Sequence, residues 1–127
     1  MFRVTKEFTF EAAHHLPGYD GPCKYTHGHS YKLQVSVEGP INPTTGMIVD
    51  FRDLKEIVKT NVLHTLDHND LNTLLARDFP NHMPTAENVL SWIVSRLKNC
   101  FGPSSVERLV AVRLWETSTS YAEWRED

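Results

Sequence analysis

A chain of 127 residues that is 40% hydrophobic and 23% charged has material for one core, burying about two thirds of its unfolded surface, so residues 1–127 read as a single domain. A net charge of −3 and the scatter of its 13 lysines and arginines exclude the basic patch of a nucleic-acid or membrane-surface binder, and no apolar run is long enough to span a bilayer. Two cysteines, Cys23 and Cys100, and a start without an apolar leader predict a reducing, cytoplasmic setting in which neither thiol need form a disulfide, with a small molecule as the ligand.

Phe2, Val4, Phe8 and Phe10 alternate with Arg3, Thr5, Glu7, Thr9 and Glu11, a period of two that predicts a strand continuing toward His14. The alternation returns in Tyr31, Leu33, Val35 and Val37 until Gly39-Pro40 breaks it, which gives a second strand. After the turn residues Asn42 to Gly46, Asp50 caps a helix whose apolar stripe is Phe51, Leu54, Val58 and Val62. Periodicity lapses from His64 to Pro84, and this stretch is expected to be irregular, with His64 and His82 as loop residues. Thr85 caps a second helix with Ala86, Leu90, Ile93 and Leu97 buried, ending before Gly102-Pro103. A third strand is expected from about Val106 to Glu116 and a short fourth over Tyr121 to Arg125. The order ββααββ predicts an α+β fold, a four-stranded antiparallel sheet with both helices on one face.

The chemistry concentrates in Cys23-Lys24-Tyr25-Thr26-His27-Gly28-His29 and, upstream, in His14-His15. Two imidazoles one residue apart on an extended chain point to one face and can reach a single metal ion. Strand parity puts His14 with Phe8 and Phe10 and puts His27 and His29 with Tyr31 and Leu33. It therefore selects His14 over His15 as the third ligand, unless a bulge between Ala12 and His15 reverses the choice. Three histidines leave a fourth position open, the mark of a catalytic site. On spacing alone Cys23 can instead be the fourth ligand of a closed structural site, which would make the protein a non-enzymatic zinc-stabilised binding module. Asp67-His68 by itself reads as a turn-forming Asp beside a solvated His. Trp92, Trp115 and Trp124 read as packing or subunit-interface groups.

Phe10-Glu11-Ala12-Ala13-His14, Cys23 ahead of His27-Gly28-His29, Asp67-His68, Pro84-Thr85-Ala86-Glu87-Asn88 and Glu116-Thr117 occur together in this order. The set resembles the 6-pyruvoyltetrahydropterin synthase / 6-carboxytetrahydropterin synthase family over nearly the whole chain. Three residues between the thiol and His-Gly-His resemble the bacterial 6-carboxytetrahydropterin synthases of queuosine biosynthesis, where the animal pyruvoyl-forming enzymes tend to have a longer gap. The resemblance implies the tunnelling fold, with subunits joined through sheet edges into a trimeric barrel and two trimers stacked as a homohexamer. It implies Zn2+ on His14, His27 and His29, and 7,8-dihydroneopterin triphosphate as substrate. It also implies Cys23 as the proton acceptor, acting as thiolate rather than as a zinc ligand. His68 oriented by Asp67 would be a second acid/base, and Glu116 would anchor the pterin through its amino group and ring N–H.

Overall fold

The computed structural model describes all of residues 1–127. Two long strands, β1 (Phe2–His14) and β2 (His27–Gly39), pair antiparallel without a break from Phe2 opposite Gly39 to His14 opposite His27. Their alternation places Phe8, Phe10, Tyr31, Leu33, Val35 and Val37 on the buried face, and no bulge interrupts β1 before His14. Both expectations of parity therefore hold. Residue Val110 is the extra one where the pairing of β2 with β4 (Arg108–Thr117) shifts, and past it Val112 and Leu114 rejoin the core face. β5 (Ser120–Arg125) completes this side of the sheet.

Two parts of the expected architecture are corrected. The sheet has five strands and is mixed, in the order β3-β1-β2-β4-β5, because a two-residue strand β3 (Asn69–Asp70) runs parallel to β1 at Ala12 and Ala13. The segment read as irregular also holds helix: His64 lies in a short turn α2 (His64–Leu66), and α3 (Leu71–Asp78) follows β3. Asp70 caps α3 by accepting from the Asn72 N–H at 2.9 Å, and Leu71, Leu74 and Leu75 bury its inner face. A helix of two turns spans too few residues for its periodicity to stand out from its neighbours.

The first helix runs as α1 (Phe51–Val58), then a π-helical segment over Lys59–Leu63, then α2, and so keeps Leu54, Val58, Val62 and Leu66 on the core. The wide turn is tied by Asn61, whose amide donates to the Ile57 carbonyl at 2.8 Å while its own carbonyl accepts from Arg96 Nε at 3.1 Å. α4 (Ala86–Lys98) packs on β4 and β5 with Leu90, Ile93 and Leu97 inward. Its cap is Thr85, whose hydroxyl accepts from the Asn88 N–H at 3.2 Å, and this fixes the position of the preceding Pro84 carbonyl.

The other face of the sheet carries polar cross-strand pairs: Thr5 with Ser36 at 2.8 Å, Gln34 with Glu7 at 3.0 Å, and Lys32 over the Trp115 ring at 4.3 Å. An antiparallel sheet with one face packed and one face polar needs this division. No helix is long and apolar enough to cross a membrane.

Trp92 is buried, and its indole N–H donates to the Asp78 carboxylate at 2.7 Å, joining α4 to the end of α3. The Arg77 guanidinium beside it and this indole bond hold the Asp78 carboxyl at about 2, below its ordinary range. A folded-state value below the unfolded one gives stability that is present above about pH 4 and is lost as pH falls toward 2. Asp78→Asn is expected to lower Tm by a few degrees at pH 7 and to converge with the parent protein near pH 2, as read by thermal melts across that range. A constant difference at all pH values would rule out the carboxylate as its source.

Candidate metal centre

His14 ends β1 and His27 begins β2, so the antiparallel register makes them direct cross-strand partners, with His29 two residues along on the same face. The three rings meet edge to face, with centroids 4.6, 5.0 and 4.8 Å apart. His14 is 1% exposed, on the core side as its parity requires.

Hydrogen bonds to main-chain carbonyls fix which ring nitrogen carries the proton. His14 Nδ1 lies 2.7 Å from the Pro84 carbonyl oxygen, and His27 Nδ1 lies 2.8 Å from that of Tyr25. A carbonyl only accepts, so each Nδ1–H donates and each Nε2 is left presenting a lone pair. Those two Nε2 atoms face one another at 3.0 Å. Glu116 Oε1 stands 3.2 Å from His14 Nε2 and 3.1 Å from His29 Nε2. His29 Nε2 is nevertheless buried without a hydrogen bond, because the carboxylate lies off the direction in which a ring N–H would point.

Ligand atoms from His14, His27, His29 and Glu116 thus lie within 4.8 Å of one another. Facing lone pairs repel, and a proton relieves only one pair, whereas a cation among them satisfies all four groups. Nitrogens about 2.05 Å from a tetrahedral ion of zinc's size stand about 3.3 Å apart, close to the separation of the His14 and His27 nitrogens. The residues present therefore fit a metal. Burial lowers the His29 pKa, opposed by Glu116 and reinforced by His14 and His27.

Glu116 reaches this position because it shares the parity of Val112 and Leu114 on β4. Beside it Tyr31 is 1% exposed, its ring stacked on Phe10 at 4.9 Å, and its hydroxyl has no partner. Burial, with a smaller contribution from Glu116, pushes its pKa well up, so the phenol stays protonated and able to donate.

The remaining sequence candidates lie outside this quartet. Asp67 and His68 do form a pair, His68 Nδ1 to Asp67 Oδ1 at 3.0 Å, but they sit on the outer edge of β1. There the Glu11 N–H donates to Asp67 at 2.9 Å and the His68 N–H donates to the Glu11 carbonyl. The Glu11 N–H, and behind it the His68 ring, hold the Asp67 carboxyl below its usual range, so it stays an anion. His68 adopts a φ of 61° and its side chain is 77% exposed, leaving Nε2 free. His29 and His68 line one shallow cleft across Ala12, Ala13 and Gly28.

Cys23 lies in a 3-10 turn (Pro22–Lys24) pinned by its carbonyl, which accepts from the Leu16 N–H at 2.7 Å. It is unpaired and partly exposed, and the group that joins the three imidazoles is the Glu116 carboxylate rather than this thiol. The Lys24 ammonium lies over the Tyr25 ring at 5.1 Å. Sequence reasoning missed the Pro84 and Tyr25 carbonyls that set the tautomers, since main-chain acceptors carry no side-chain signature.

The sequence model of the 6-pyruvoyl tetrahydropterin synthase family matches residues 3–127. The chain belongs to the 6-pyruvoyl tetrahydropterin synthase family. It is 37% identical to a 6-carboxy-5,6,7,8-tetrahydropterin synthase of Haemophilus influenzae, over 99% of this chain and 100% of that protein. A protein of the same name from Synechocystis sp. is 38% identical over 98% of this chain and 93% of its own length. Among solved structures, the 6-pyruvoyl tetrahydropterin synthase of Caenorhabditis elegans superposes with a TM-score of 0.81 at 28% identity, covering 99% of this chain and 96% of that one. The fold is therefore the α+β fold of this family of pterin-synthesising enzymes.

Zinc added to chelator-treated protein is expected to raise Tm, by about 2.7 kcal/mol of stabilisation at 100 times Kd. His14→Ala and His27→Ala are each expected to remove most of that increment. An undiminished increment in His14→Ala, followed by thermal melts with and without metal, would reject the quartet.

Proposed function

We propose that this chain is a zinc-dependent lyase, a 6-carboxy-5,6,7,8-tetrahydropterin synthase of queuosine biosynthesis. It would convert 7,8-dihydroneopterin triphosphate, with one water taken up, to the carboxypterin, acetaldehyde and triphosphate. The observation that carries the reading is the pair of Nε2 lone pairs opposed at 3.0 Å, next to a third imidazole nitrogen without a hydrogen bond. Relatives bearing the carboxy-forming name at 37% and 38% identity support the branch. So does the spacing of three residues between Cys23 and His27.

His14, His27 and His29 hold the ion, two of them with the second nitrogen tied to a carbonyl so that the ring cannot turn away. Zinc supplies Lewis acidity that acidifies the hydrogens beside the substrate's side-chain hydroxyls. Cys23, as thiolate, takes a proton from the side chain, and its place outside the quartet leaves the sulfur free to do so. His68 exchanges protons at Nε2, while the ionised Asp67 holds Nδ1 and fixes the tautomer. Glu116 orients the pterin by accepting from its amino group and ring N–H, which requires the carboxylate to turn from its contact with His14 and His29.

Residues Phe2 to Phe10 of β1 lie on one outer side of the sheet and β5 lies on the other, each without a strand partner along that side. Two such free edges supply the physical motive for a closed ring of subunits, here a homohexamer of stacked trimers in the cytoplasm. In such an assembly the dyad of one subunit can serve the metal centre of another.

Incubation with dihydroneopterin triphosphate is expected to release acetaldehyde and triphosphate in equal amounts. Triphosphate without acetaldehyde would move the assignment to the pyruvoyl-forming branch. Cys23→Ala is expected to keep its zinc and lose on the order of 10²–10⁴ in kcat. Zinc lost together with the fold would instead make Cys23 a structural ligand and the protein a zinc-stabilised binding module.

A further inference from the structure

The outer edge of β1 is bound to the chain segment 67–72 along its last residues. The Glu11 N–H donates to Asp67, and the Glu11 carbonyl accepts from the His68 N–H. Ala12 and Ala13 then pair with Asn69 and Asp70 of β3. One position beyond the end of the strand, the Asn72 side chain takes over the role of a strand. Its Oδ1 accepts from the His15 N–H at 2.8 Å and its Nδ2 donates to the His15 carbonyl at 2.9 Å. A planar carboxamide offers one donor and one acceptor side by side, as a peptide edge does, so this single side chain satisfies both main-chain groups of His15.

Asn72 is itself held firmly. Its own N–H is bound by the Asp70 cap, and its neighbour Leu71 is fully buried. His14, immediately before the clamped residue, has its ring fixed by Pro84 and its main chain held between the ladder with β2 and the next residue, His15, which this amide clamps. We infer that Asn72 is a positioning residue for the metal centre: it stops β1 from fraying at its last ligand and locks that ligand in register with the Asp67–His68 pair. The inference rests on the metal reading of the quartet. It also accounts for the course of residues 67–72 after α2, which run alongside the end of β1.

The test is zinc affinity, measured by competition with a chromophoric chelator on metal-free protein, with Tm and amide hydrogen exchange recorded alongside. Asn72→Ala is expected to weaken zinc about tenfold, as loss of a group that orients a ligand does, and to speed exchange at the His15 amide. Asn72→Ser, whose short hydroxyl cannot span both groups of His15 yet suits a first helical turn, is expected to show the same loss if the alanine variant does not fold. Parent protein that takes up no zinc would refute the metal reading itself. Zinc bound by the parent and equally well by the folded variant would overturn the role of Asn72, even where Tm falls, since a fall in Tm alone is the signature of a purely structural bond.

Discussion

The opposition of two imidazole lone pairs across the first rung of β1 and β2 is the constraint around which this chain is arranged. Left alone, His14 and His27 would each turn an N–H toward water or toward the other. They cannot, because each spends its Nδ1–H on a main-chain carbonyl, that of Pro84 for His14 and that of Tyr25 for His27. The fold thus keeps an unfavourable contact in being by supplying better partners on the far side of each ring. A cation bound among these nitrogens would relieve it.

Elements that contain no ligand serve this arrangement. Thr85 is a helix cap in ordinary terms, but capping α4 also sets where the Pro84 carbonyl points, and that carbonyl selects the His14 tautomer. The 3-10 turn at Pro22–Lys24 bonds the Tyr25 N–H back to Pro22, which leaves the Tyr25 carbonyl to receive His27. The same turn carries Cys23, so the orientation of the His27 ring and the placement of the thiol depend on one local structure.

What was legible in the sequence followed from period and parity. Alternation from Phe2 to Glu11 and from Tyr31 to Val37 gave both strands, and parity alone put His14 rather than His15 on the buried side, because nothing disturbs the register before it. The family resemblance brought Glu116 into the candidate set for a different purpose, and only the structure shows its carboxylate against two imidazoles. What was hidden had no period to read. β3 is two residues long and α3 only eight, each held by contacts with distant residues rather than by strong local preference. His68 takes a left-handed conformation that no pattern of side chains announces. The carbonyl acceptors at Pro84 and Tyr25 are main-chain groups, invisible to any reading of side-chain chemistry.

The division between rigid and accessible groups follows from the work each must do. Metal-ligand geometry tolerates displacements of only a few tenths of an ångström, and His14, a ligand in the proposed reading, lies in the core with its ring bonded and its main chain paired. In the proposed reaction a group that moves protons must meet substrate, and the two residues assigned that work there, His68 and Cys23, lie at the exposed edge and in a surface turn. Chain 67–72 meets both demands of that proposal, since it leaves His68 exposed while its main chain and Asn72 follow the same strand that carries His14.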